Sequence, residues 1–281
     1  MATITAAMVK ELRKITGAAI MDCKRALTEC EANLEAAKEL LRKKGQAIAH
    51  KKSSRETKEG AISIYLDDSK AGLVKMACET DFVAINNQFK EFIAEMAKYA
   101  AEVGIDNFAE KTTAKGLIKE LITEAIAKLG ENIVFVEGVD WVAEGDNVIG
   151  GYTHSNGKIG VVVEIESDKA ADKKKLQMLA KDVAMHIAAS QVEAIKEEDL
   201  DPSVLEKEKA FLIDQAKESG KAENIIEKMV SGRIQKFKKE ICLMYQNFVK
   251  NPELTINQLL KNTGKELGVN LAVKRYFKAQ L

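Results

Sequence analysis

The chain has 281 residues, 46% hydrophobic and 31% charged, with 43 Lys/Arg balancing 43 Asp/Glu to a formal net charge of zero. That length holds one large domain or two to three small ones around an ample core. The zero balance excludes a whole-molecule electrostatic footprint for nucleic acid, so direct nucleic-acid binding is not expected. Two prolines and 5% aromatics point to a helix-rich chain with few loops.

The charge is unevenly placed. Residues 1–58 hold 13 Lys/Arg against 7 Asp/Glu, a net of +6, which leaves −6 for the remainder. A basic front facing an acidic partner or RNA explains this, and so does a solvated helical face. Cys23, Cys30, Cys78 and Cys242 are too scattered for a disulfide framework, and no C-x-x-C pair exists. Each replaces an apolar residue in a helical or strand pattern, as buried free thiols of a reducing compartment do. No signal or transit pattern opens the chain, and no apolar run nears membrane-spanning length. The expectation is a cytoplasmic, soluble protein with no membrane contact.

Thr5 caps a first helix with Met8, Val9 and Leu12 on one face, ended by Gly17. A second helix runs from about Asp22 to Glu29 and leaves Ile20-Met21 in the loop before it. A third starts at Asn33, aligns Leu34, Ala37, Leu40 and Leu41, and stops at Gly45. These predict a three-helix module over 1–45 with a thin core, then a basic linker over 46–59 that includes His50-Lys-Lys-Ser-Ser-Arg55.

A first core subdomain is expected over 60–139. Ile62, Ile64 and Leu66 alternate, Asp67 to Gly72 turns, and Val74, Met76 and Cys78 alternate again, predicting a hairpin. Helices follow at about 87–103 and 114–129, the latter closed by Gly130, then a strand at Ile133–Val136. A second subdomain over 140–281 repeats the plan. Its hairpin is Val148–Thr153 and Ile159–Ile165 around Ser155-Asn-Gly157, followed by helices at 171–190 and 255–267 and a strand at 269–273.

The predicted class is therefore α+β, with two related subdomains carrying small antiparallel sheets. It is not a doubly wound α/β sheet. A stretch at about 202–248 has no counterpart in the first half and reads as an antiparallel helical hairpin turning at Ser219-Gly220. Its apolar stripe meets a partner, a second copy in a homodimer, or the chain's own domain; the sequence leaves these open.

Enzymatic signals are poor. His50, His154 and His186 lack metal-ligand spacing to a Cys or another His. No G-x-x-x-x-G-K-[ST] or G-x-S-x-G is present, and acid pairs such as Glu197-Glu198 lie in a charged loop. No catalytic residue, metal or cofactor is expected. The feature that stands out is Thr80-Asp81-Phe82-Val83, an acid beside a large aromatic between a strand and a helix. It is built either as a probe that enters another molecule or with Phe82 in the core and Asp81 capping the turn. Ile20-Met21 has the same two readings. Met185-His186 reads most simply as a buried helix face, and His154, at a hairpin tip, as an exposed contact.

Two motifs give the chain a family resemblance. Leu12-Arg-Lys-Ile-Thr-Gly-Ala-Ala-Ile-Met-Asp-Cys-Lys-Arg-Ala-Leu27 and Cys78-Glu-Thr-Asp-Phe-Val-Ala84 resemble the two signatures of bacterial elongation factor Ts, the guanine-nucleotide exchange factor of the GTPase elongation factor Tu. Gly130-Glu-Asn-Ile133 and Ala184-Met-His-Ile-Ala-Ala-Ser190 add matches in the right order. Lys75 and Ala77 stand where the family usually has an acidic residue and an Asn, and Ile85 where a basic residue is common. The chain is read as lacking the short C-terminal module of some members.

The resemblance implies a ubiquitin-associated-like N-terminal module whose Leu12, Ile20 and Met21 region docks on the GTPase domain. It implies that Thr80, Asp81, Phe82 and Val83 reach toward the partner's magnesium and nucleotide. It implies that His154, Met185, His186, Phe248 and Val249 meet the partner's other domains. The expected function is GDP release from elongation factor Tu; the alternative is an RNA- or ribosome-binding scaffold built on the basic module.

Overall fold

The computed structural model describes residues 3–217 and 223–281. It is α+β, with helices and small antiparallel sheets. Two compact units are resolved: Met1–Trp141 with Ser155–Ile159 and Ala279–Leu281, and Val142–His154 with Gly160–Lys278.

The first unit opens with helices α1 (Ala6–Thr16), α2 (Ile20–Glu29) and α3 (Leu34–Lys52). Thr5 and Asn33 cap α1 and α3 through their side chains, and Gly17 ends α1 in the left-handed region at φ 64°. Leu12, Cys23, Ala26, Leu27 and Ala37 form the small buried core of the three. Two boundaries differ from expectation. Helix α2 begins at Ile20, because the Ala19 carbonyl accepts from Asp22 and Cys23 with no capping side chain to announce it.

Helix α3 does not stop at Gly45; it continues to Lys52 through much of the expected linker. A glycine ends a helix when it turns left-handed, and Gly45 stays in the helix. Its bare face lies against the helix that contains Ala127, where an added Cβ would sit 3.5 Å from that of Ala127.

Strands β1 (Glu59–Leu66) and β2 (Lys70–Cys78) make the expected hairpin, with Glu59 opposite Cys78 and Leu66 opposite Ala71. Helices α4 (Asp81–Ile85) and α5 (Asn87–Val103) follow. A small hairpin of β3 (Thr112–Thr113) and β4 (Gly116–Leu117) takes the start of the expected helix at 114, so α6 spans Ile118–Leu129. Strand β5 (Ile133–Val142) runs longer than expected and gives the order β1-β2-β5. Val74, Met76, Cys78, Phe89, Ile93, Met96, Phe108, Ile118 and Ile133 pack into this unit's main core. Gly72 belongs to β2 rather than the turn. It lets α5 approach, since a side chain there would strike the backbone of Ala97 and Ala101.

The second unit contains β6 (Val148–Thr153), β7 (Ile159–Ser167) and α7 (Lys173–Ala189). Helices α8 (Pro202–Lys217) and α9 (Glu223–Ile241) follow, then β8 (Asn247–Phe248), β9 (Asn251–Thr255), α10 (Ile256–Leu267) and β10 (Leu271–Gln280). The sheet order is β10-β7-β6. Val161, Val163 and Ile165 are buried, as are Leu176, Leu179, Val183 and Ile187 of α7. Helices α8 and α9 pack on each other through Leu212, Ala216 and Val230, while Phe211 and Ile225 stay exposed. The turn expected at Ser219-Gly220 lies outside the described residues. Among the described residues no helix is long and apolar enough to cross a membrane.

Candidate partner-binding site

The chain leaves β2 at Cys78 and enters α4 within three residues, and the turn between them is heavily braced. Glu131 accepts from the Thr80 N–H at 3.0 Å, the Glu79 N–H at 3.1 Å and the Thr80 hydroxyl at 2.6 Å. Glu79 answers by accepting from the Asn132 N–H at 2.6 Å and from Arg55 at 3.2 Å. Asn132, almost wholly buried, donates its side-chain amide to the Arg55 carbonyl at 2.9 Å. The N–H of Asn132, helped by Arg55, brings the Glu79 carboxyl below its ordinary range; burial opposes them.

This frame caps α4. Thr80 is its N-cap and accepts from the Val83 N–H. Val83 and Ala84 turn inward and join the main core. Phe82 turns outward and is 78% exposed, with Ile85 exposed three residues on. The reading that buried Phe82 in its own core is overturned, as is Asp81 as the cap. Lys158 lies close: it pairs with Glu59 at 2.7 Å, which holds it protonated above its ordinary range, and Asp81 adds to that field.

Ile20 and Met21 are exposed in the first turn of α2, with Ile15 exposed on α1. Leu12 is fully buried in the module's core. In the second unit, His154 is exposed and its Nδ1 lies 3.2 Å from the Tyr152 hydroxyl. His186 is buried; its Nε2 lies 2.8 Å from Gln246 Oε1, and its Nδ1 accepts from the Val249 N–H at 3.2 Å. Met185 is half-buried, Phe248 is buried against the His186 ring, and Val249 is exposed. Among the described residues, no group of three or more His, Cys, Asp or Glu is placed to hold a metal ion.

A family model described as Elongation factor TS matches residues 79–280. The chain belongs to the elongation factor Ts family. A relative from Clostridium botulinum (strain 657 / Type Ba4), named Elongation factor Ts, is 43% identical over 97% of this chain and 91% of its own. One from Desulfovibrio desulfuricans (strain ATCC 27774 / DSM 6949 / MB), with the same name, is 41% identical over 100% of this chain and 99% of its own. Membership in the elongation factor Ts family makes the chain a translation elongation factor. Within this family member, Asp81 and Phe82 are presented outward, while Leu12, His186 and Phe248 are held inside.

The reading from sequence missed the brace. Glu131 and Asn132 stood in view as Gly130-Glu-Asn-Ile133, yet nothing local ties them to Thr80, some 50 residues away. Ile85, which the sequence marks only as standing where a basic residue is common, is exposed as well.

Proposed function

We propose that this chain binds elongation factor Tu in its GDP-bound form and speeds GDP release, acting in the cytoplasm during translation elongation. The observation that carries this is Phe82: a large aromatic held out in water on a braced turn, beside the carboxylate of Asp81. Exposed aromatics on rigid supports are the side chains that anchor protein interfaces. Phe82 wedges between elements of the partner, and Ile85 widens the apolar surface. Asp81 brings negative charge to the surroundings of the magnesium ion that bridges the phosphates.

A 10⁴-fold faster release corresponds to a barrier lower by roughly 5.5 kcal/mol. Linkage sets the other condition: a factor that weakens GDP binding is itself bound more weakly when GDP is present. It therefore needs no nucleotide site, and the sequence carries no P-loop motif. In this reading the three N-terminal helices dock through Ile20 and Met21, with Leu12 supporting them from beneath. Val249 and His154 meet the partner's other domains, with Met185, His186 and Phe248 shaping that surface.

The test is release of a fluorescent GDP from elongation factor Tu. Folded protein accelerates release, and Phe82→Ala removes most of the acceleration with an unchanged urea midpoint. No acceleration by folded protein would overturn the proposal and favour the RNA or ribosome scaffold, for which salt-dependent RNA binding is the signature.

A further inference from the structure

We infer that Glu131 is a positioning residue for Phe82, fixing the turn from which that side chain projects. The inference rests on the exchange reading above. A side chain 78% exposed has little packing to aim it, so its direction comes from the backbone beneath. That backbone is α4, only five residues from Asp81 to Ile85. Helices so short do not hold themselves, since nucleation costs more than one or two hydrogen bonds return. Here the buried Val83 and Ala84 anchor the inner face, and the cap sets how the helix starts.

The cap is set by one carboxylate. Oε2 of Glu131 takes the two N–H groups of Glu79 and Thr80, which fixes two successive peptide planes. Oε1 takes the proton of the Thr80 hydroxyl at 2.6 Å, which turns an oxygen lone pair toward the Val83 N–H. Donating that proton to Glu131 anchors the hydroxyl and leaves its oxygen free to accept from the Val83 N–H. Glu79 locks the opposite turn by accepting from Asn132, the residue after Glu131. Two glutamates thus cross, each holding the backbone beside the other. Glu131 needs no contact with the partner to act in this way.

The experiment uses the full chain as wild type, Glu131→Gln, Glu131→Ala, Phe82→Ala and the double variant Phe82→Ala/Glu131→Ala. Limiting rates of GDP release are read at saturating factor, together with amide hydrogen exchange of the segment 79–86. Glu131→Ala lowers the limiting rate about tenfold, whereas Glu131→Gln stays within about threefold of wild type. The glutamine keeps one oxygen for the two N–H groups and offers its amide to the Thr80 hydroxyl. In the Phe82→Ala background, Glu131→Ala adds less than about twofold, because its effect passes through Phe82. Hydrogen exchange quickens in segment 79–86 while the rest of the chain keeps its protection.

Independent, multiplicative losses in the double variant would overturn the inference, and so would an unchanged rate or unchanged protection in Glu131→Ala. Should Glu131→Ala lose its fold, Thr80→Val replaces it, with the same dependence on Phe82 expected and independence overturning the inference. Failure of wild type to release GDP removes the exchange reading instead; the hydrogen-exchange comparison then still decides whether Glu131 holds the turn.

Discussion

Arg275 donates from Nε to Oε2 of Glu164 at 2.6 Å, and the Glu164 side chain is completely buried. Lys274 at 3.2 Å and Asn147 at 2.9 Å share the other oxygen. Burial alone would push this carboxyl up. The hydrogen bonds from Asn147, Arg275 and Lys274 outweigh it and hold the group below its ordinary range.

A carboxyl depressed by folding contributes stability above its unfolded value of about 4.3, and that stability is lost as pH falls through the folded value. Glu164→Ala is expected to cost about 2–4 kcal/mol, below the full penalty for a buried orphan because Arg275 and Lys274 stay 40% and 35% exposed. Glu164→Gln costs about half as much. Urea unfolding at pH 7 and pH 4 checks both values, and the gap between wild type and Glu164→Gln should narrow at the lower pH.

His186 loses stability in the same direction of pH, but with the neutral rather than the ionised form held by the fold. Nδ1 accepts from the Val249 N–H, so Nε2 bears the hydrogen given to Gln246, and the ring is neutral. Burial lowers its affinity for a second proton, with the Gln246 contact opposing. Protonating Nδ1 would set N–H against N–H. The unfolded chain therefore takes up the proton first, and stability falls as pH drops below about 6.5 toward the folded value. His186→Gln is expected to be less stable at pH 7 and to have a flatter profile between pH 7 and 5, measured by thermal unfolding.

Two glycines should respond oppositely to an added methyl. Gly45 lies in the interior of α3, with ordinary contact distance waiting at Ala127. Gly45→Ala should stabilise by up to about 1 kcal/mol, the helix-propensity difference. Gly72→Ala should destabilise by about 2 kcal/mol or more, because backbone atoms of α5 fill the space. Chemical denaturation of the two variants settles the signs.

Cys78 should be inert while the protein is folded. Burial, with the Glu131 charge next, pushes its thiol up to about 12. Thiolate is therefore scarce at pH 8, and access is closed. Iodoacetamide at pH 8 should modify half-buried Cys30 well before Cys78, and should reach Cys78 only when urea opens the chain; mass spectrometry of the peptides reads the order.

Local signals in the sequence were enough for much of the fold. Thr5, Asn33, Gly17 and Gly130 mark helix ends because capping is a contact between near neighbours. Asn87–Val103 and Val148–Thr153 carry clean periods, and both elements form there. The errors fall where a distant partner decides. Gly45 reads as a stop until α6 is seen beside it, and Gly72 reads as a turn until α5 is seen above it. Residues 114–117, the start of the expected helix, go instead to the small hairpin of β3 and β4.

The candidate site divides in the same way. By itself the sequence determined the α+β class, the family signatures and the pairing of an acid with an aromatic at a strand-to-helix turn, since these depend on residues adjacent in the chain. Only the tertiary structure decided that Phe82 faces water while Val83 does not, and that Glu131 holds the turn between them and β2. Side-chain exposure and a hydrogen bond spanning 51 residues depend on what folds back against the turn, and no local pattern of residue types encodes that.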